Sequence, residues 1–101
     1  MDHSITSHGG ICTVSGKGSL TFEDYSSVVA LLDNLCTASD GTIIFDLQHV
    51  TSIDSAGIGL LLLMSDRLKG AGKSLSLSRP NTNVMQVLEV AKISELIEIK
   101  H

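Results

Sequence analysis

The segment Thr42-Ile43-Ile44-Phe45-Asp46-Leu47 constrains the fold more than any other part of the sequence. It is short, almost uninterruptedly apolar, and preceded by the helix-stopping Ser39-Asp40-Gly41. A run of this length and composition reads as a strand covered on both faces, as in the middle of a parallel sheet. Val50 to Ile53 form a second brief apolar stretch just after it.

The flanking patterns supply the other elements. Ile11 to Ser15 alternate as a strand, Ile5 marks another before it, and Gly9-Gly10 suit the hairpin turn between them. Gly16-Lys17-Gly18 end that strand. A helix is expected over about residues 22–37, with Thr21 as N-cap, Glu23 and Asp24 at its positive end, and Leu20 stapled to Tyr25. Its buried stripe is Tyr25, Val28, Val29, Leu32, Leu35 and Cys36. A second helix over about 56–69 buries Ile58, Leu61, Leu62, Met64 and Leu68, and Lys69-Gly70 provide its cationic, glycine-marked end. Leu75 and Leu77 alternate with Ser74, Ser76 and Ser78, which gives a strand with one apolar and one polar face. Helices therefore cover mainly one side of the sheet. Asn81 or Asn83 caps a third helix over about 83–91, with Val84, Val87, Leu88 and Ala91 facing the core. Ile97 and Ile99 flank Glu98 in a last short strand. Alternating strand and helix make the class α/β, and 101 residues without repeat or linker suit a single domain, 1–101.

Charge and composition exclude several functions. Seven basic residues are scattered among eleven acidic ones, for a formal charge of −4, so the basic stripe of a nucleic-acid binder is missing. The start of the chain has neither the positive region nor the apolar run of a signal peptide, and Ile58 to Met64 is too short to span a bilayer. A soluble cytoplasmic protein without membrane insertion is the expectation. Cys12 and Cys36 lack C-x-x-C spacing and read as reduced, buried thiols.

The chemistry-bearing segment is Asp54-Ser55-Ala56-Gly57-Ile58-Gly59, at a helix start just after the Asp46-Leu47 strand. Ser55 is placed where unsatisfied backbone N–H groups and the helix dipole favour an anion. Taken alone, Ser55 reads as an N-cap, Asp54 as a cap or turn residue, and the glycines as aids to tight turning or close packing.

The whole segment from Ile44 to Gly59 resembles the signature of the STAS family, in which an Asp-Leu strand leads to Asp-Ser-x-Gly-Leu-Gly. Lys69-Gly70-Ala71-Gly72-Lys73 and the Val87-Leu88-Glu89 helix extend the resemblance over essentially the whole chain. It implies a SpoIIAA-like mixed sheet with helices mainly on one face. It also implies an anti-sigma factor antagonist, whose partner is an anti-sigma factor serine kinase that phosphorylates the serine after the motif acid. That serine falls on Ser55, and the implied partner surface is Asp54 to Gly59. Ala56 stands where many antagonists carry a second hydroxyl, leaving one phosphoacceptor, and Ile58 replaces the usual leucine.

Enzymatic readings fail on spacing. Ile53 precedes Ser55 by two, so the G-x-S-x-G elbow is absent, and His49 has no identifiable orienting acid. Gly70-Ala71-Gly72-Lys73 lacks the gap of a P-loop. His3, His8, His49 and His101 show no zinc-like spacing with one another or with the cysteines, so no metal or cofactor is expected. The alternative is an accessory STAS subunit of a lipid- or anion-transport complex. A scaffold within a stress-sensing assembly is a third reading.

Overall fold

A computed structural model describes all 101 residues. The chain runs β1 (Asp2–His8), β2 (Ile11–Leu20), α1 (Tyr25–Thr37), β3 (Thr42–Ile53), α2 (Ser55–Gly70), β4 (Ser74–Ser78), α3 (Thr82–Val90) and β5 (Glu98–Lys100), with short 3-10 turns at Phe22–Asp24 and Ile93–Glu95. The strands lie side by side in sequence order; β1 and β2 are antiparallel and the remaining pairs are parallel. Three parallel crossovers step the same way across the sheet, and because connections of this kind are right-handed as a rule, all three helices fall on one face. The expected mixed sheet is therefore present, with residues 43–47 in its central strand.

The core lies between that face and the helices. Cys12 and Val14 from β2, Ile43, Phe45 and Leu47 from β3, and Leu77 from β4 meet Val28, Leu31, Leu32 and Leu35 of α1, Leu60, Leu61, Met64 and Leu68 of α2, and Val84 and Leu88 of α3. The opposite sheet face has no helix, so β3 is covered on one face only, and Ile44 is half-buried among small polar residues. The apolar run overstated that cover because Asp46, at the same outward spacing, is satisfied by partners rather than by packing.

Several boundaries shift for identifiable reasons. β2 does not stop at Gly16-Lys17-Gly18 but continues to Leu20. A Cβ on Gly16 would stand 2.8 Å from Phe45 Cε1, and Gly18 has φ +94° at a register shift against β3. These glycines admit the core aromatic and a bulge instead of ending the strand. β3 likewise absorbs Val50 to Ile53. Tyr25 is 51% exposed and unavailable as a staple partner, because a 3-10 turn precedes α1 and rotates its buried stripe onto Leu31. Val29 and Cys36 are only half-buried. In α2, Leu60 joins the core while Ile58 is half-buried and Leu62 exposed. In α3, Val87 is half-buried and Ala91 exposed.

Capping agrees with the pattern more closely. The Thr21 N–H donates to Asp24 Oδ2 at 2.8 Å, and Asn81, not Asn83, accepts the Val84 N–H at 2.7 Å. At the end of α2 the left-handed residue is Gly72 (φ +77°), two positions beyond the glycine the sequence suggested. Lys73 then donates from Nζ to the Ala38 carbonyl at 2.7 Å, tying this end to the exit of α1. No helix is long and apolar enough to cross a membrane.

Candidate functional site at the start of helix α2

Asp54 is the hinge between β3 and α2. Its backbone is extended (φ −95°, ψ −177°), its N–H donates to the Leu20 carbonyl at 3.4 Å, and its Oδ1 accepts the Gly57 N–H at 2.7 Å. Asp54 is thus the N-cap, which the sequence alone left open between Asp54 and Ser55. Such a cap stabilises by about 1 kcal/mol. Ser55 becomes the first helical residue, exposed, with no hydrogen bond from its hydroxyl to any protein group. The N–H groups of Ser55 and Ala56 stand at the helix entrance without intrahelical partners.

The two glycines differ. Gly57 is buried, and a Cβ there would meet the Leu20 carbonyl oxygen at 2.3 Å and Ile53 Cγ2 at 2.8 Å. Its absent side chain lets the first turn of α2 lie against the end of β2. Gly59 is exposed, and a Cβ there would touch nothing within 4 Å. Internal packing explains Gly57 and leaves Gly59 without a packing role.

Ser55 and Ile58 also line a groove of ≈ 400 Å³ against α3, whose wall is Asn83, Gln86, Val87, Val90 and Ala91. Val90 is 86% exposed there, and the Phe22–Asp24 turn carries Phe22 at 73% exposure. Neither residue was picked out as a site by the sequence reading. For Val90 a signal existed: it is an apolar residue off the Val84–Leu88 core stripe, set beside an expected site only once α3 packs next to α2.

Asp46, the acid of the Asp-Leu strand, is fully engaged. Its carboxylate accepts from the Gln48 N–H at 3.1 Å, from Arg79 Nη2 at 2.5 Å and Nε at 3.3 Å, and from the Ser78 hydroxyl at 3.4 Å. Burial works to raise its pKa, but the Arg79 hydrogen bonds and charge, with the Gln48 N–H and Ser78 hydroxyl, hold it below the usual carboxylate value. Arg79 itself is held at φ +52°, and its N–H donates to the Lys100 carbonyl at 2.8 Å. Two residues on, Asn81 Nδ2 donates to the Val50 carbonyl at 3.1 Å while its Oδ1 caps α3. These contacts fix α3, and with it the groove wall, relative to the end of β3. His49 is exposed, and no group of three or more His, Cys, Asp and Glu side chains is arranged to hold a metal ion.

Residues 3–98 match the family model described as "Mlab, STAS domain". The chain belongs to the STAS family. A curated STAS-domain containing protein of Pseudomonas aeruginosa is 30% identical over 56 residues, and the match spans 55% of each chain, so this protein covers about half of that relative's length. Among solved structures, a putative anti-sigma factor antagonist of Thermotoga maritima superposes with a TM-score of 0.88 at 19% identity, covering 98% of this chain and 86% of that one. The Bacillus cell fate determinant SpoIIAA in its phosphorylated form gives 0.72 at 16% identity, over 97% and 90%. The STAS domain of a SulP transporter of Vibrio cholerae gives 0.74 at 19% identity, over 95% and 77%. At these identities the likenesses establish the SpoIIAA-like STAS fold, which antagonists and transporter domains share.

Proposed function

We propose that this protein is an anti-sigma factor antagonist that binds an anti-sigma factor serine kinase through Asp54–Gly59 and is released when that kinase phosphorylates Ser55. The observation that carries the reading is the state of Ser55. Its hydroxyl is exposed and unbonded at the first residue of α2, on the rim of an apolar groove, because Asp54 performs the capping. A serine spent as a cap would have to give up its hydrogen bond to be modified; Ser55 has none to give up.

Phosphate adds about −1.5 to −2 charge at pH 7. Within the free domain the helix entrance offsets part of that charge, by about 0.3–1 kcal/mol. In an interface formed around Ile58, Val87 and Val90 it brings bulk, desolvation and repulsion from Asp54. Phosphorylation on this reading changes binding and leaves the fold alone. SpoIIAA, with the same fold, has been solved in a phosphorylated form, which supports the choice of a phosphate as the switch.

The test is incubation with the copurifying kinase and ATP, followed by mass spectrometry. Phosphate is expected on Ser55 alone. Ser55→Ala should bind the kinase and resist release, and Ser55→Asp should stay folded yet bind about a hundredfold more weakly, equivalent to ~2.7 kcal/mol. Phosphate on Thr51 or Ser52 with Ser55 bare overturns the assignment. No phosphate with a verified kinase partner overturns the antagonist reading in favour of a transport-complex subunit.

A further inference from the structure

The sheet has two edges of very different character. β5 is three residues long and ends in Lys100, a short, charged edge of the kind that resists pairing. β1 is seven residues long, exposed throughout, and in unbroken register with β2 from Asp2↔Lys17 to His8↔Ile11. It contains no proline, no lysine and no bulge, and its one carboxylate, Asp2, stands at its very start.

Its free hydrogen-bonding groups can be assigned. Gly9 and Gly10 both have positive φ, +59° and +82°, and form the two-residue turn closed by His8 and Ile11. Residues closing such a turn exchange backbone bonds, so His8, Thr6, Ser4 and Asp2 aim their backbone at β2. His3, Ile5 and Ser7 therefore aim N–H and C=O away from the sheet. Ile5 itself is 46% exposed although it pairs with the buried Val14 and so lies on the helix-covered side.

From this edge we infer that β1 pairs antiparallel with β1 of a second copy of this chain, about a two-fold axis at Ile5. That register sets His3 against Ser7 of the other copy and Ile5 against Ile5, which are the residues with free backbone groups. Three bonded pairs exchange about six hydrogen bonds. The same register sets Asp2 of each copy against His8 of the other, an acid facing a base at both ends, and covers Ile5 with its counterpart. Length and free backbone groups suit an added strand, and the Asp2–His8 pairs, in which a carboxylate can accept from an imidazole N–H at both ends, select a second copy as its source; the two five-stranded sheets become one. The pairing uses β1, whereas the Ser55 groove is built from α2 and α3.

Sedimentation equilibrium of the full chain over a wide concentration range tests this. The expected result is a reversible dimer at twice 10.7 kDa. Ile5→Pro removes an outward N–H that β2 does not use, so it should preserve circular dichroism and weaken the dimer by about a hundredfold. His8→Asp should weaken it by about tenfold by setting acid against acid, and adding Asp2→His should restore it. Should Ile5→Pro fail to fold, the single and double charge variants decide. A chain that stays monomeric at its highest soluble concentration, a dimer indifferent to folded Ile5→Pro, or a double variant no tighter than the single one overturns the proposal.

Discussion

Asp46 and Asp54 belong to one continuous signature, yet the structure uses them in opposite ways. Asp46 is buried, and its carboxylate accepts from Gln48, Ser78 and Arg79, so it has nothing left to offer a partner. Asp54 spends its hydrogen-bonding on one backbone N–H and in doing so leaves the Ser55 hydroxyl free. The strand half of the signature builds, and the helix half presents. A short stretch of sequence thus does two things: Asp46 helps hold α3 in place through Arg79, and Asp54 leaves a hydroxyl exposed where α2 begins.

The largest expected effect tests whether Gly57 belongs to the building half despite lying in the presenting one. Gly57→Ala puts a methyl 2.3 Å from a backbone oxygen that has no flexible side chain to move. The start of α2 must then lift from Leu20, at a cost of about 3 kcal/mol in chemical denaturation. A loss under about 0.5 kcal/mol would show that the helix start is free to move, and would remove the contrast with Gly59.

Next in size is Asp46→Asn. It keeps the shape but weakens hydrogen bonds to an ionised acceptor, and Arg79 is half-exposed, so the expected loss is about 1–2 kcal/mol. The pH dependence follows from the same contacts. The folded pKa of Asp46 lies below the ordinary value of 3.8, so the unfolded chain takes up the proton first as pH falls. The stabilisation is fully present above about pH 4 and is lost as pH drops through 3.8 toward the depressed folded value. Asp24, with its pKa also lowered, contributes in the same window. Acid unfolding followed by circular dichroism should therefore be less steep for Asp46→Asn than for the parent chain. Identical acid limbs would mean that Asp46 is not held by its partners.

The sequence disclosed the strand and helix order, the open sheet face and the Asp54–Gly59 junction, because each depends on local periodicity or on a short motif. It did not disclose what depends on contacts between distant segments. The role of Gly16 is set by Phe45, that of Gly57 by Leu20, and the groove wall at Val90 by the docking of α3. Likewise, whether Asp54 or Ser55 caps α2 depends on where β3 releases the chain, which the hydrogen bond from Asp54 to Leu20 determines.

Asp54→Ala is a smaller perturbation that addresses the presenting half directly. Losing the bond to the Gly57 N–H should cost about 1 kcal/mol. With the cap gone, Ser55 is the nearest hydroxyl able to turn toward the helix N–H groups, and phosphorylation by the proposed partner kinase should slow even though the serine is intact. Unchanged stability in denaturant would remove Asp54 as the cap. An unchanged phosphorylation rate in a folded variant would show that the freedom of Ser55 does not depend on it.

The smallest effect carries the opposite sign. Gly59 lies inside α2, where glycine costs about 0.5–1 kcal/mol relative to alanine, and a methyl there meets nothing within 4 Å. Gly59→Ala should therefore raise the stability of the free protein by that amount in denaturant titration. Packing within the domain gives no reason for the glycine, but close approach of another protein to α2 would, since Gly59 is one turn along from Ser55 on an exposed part of the helix. The variant should be more stable alone and weaker toward the proposed kinase partner, with the loss in calorimetric affinity growing when Ala is replaced by Leu. If the stabilised variant binds as tightly as the parent, the partner does not touch this turn, and the presenting surface contracts to Ser55, Ile58 and the α3 wall of the groove. If the variant is destabilised, the helix start is more crowded than its geometry indicates, and Gly59 joins Gly57 among the residues that build.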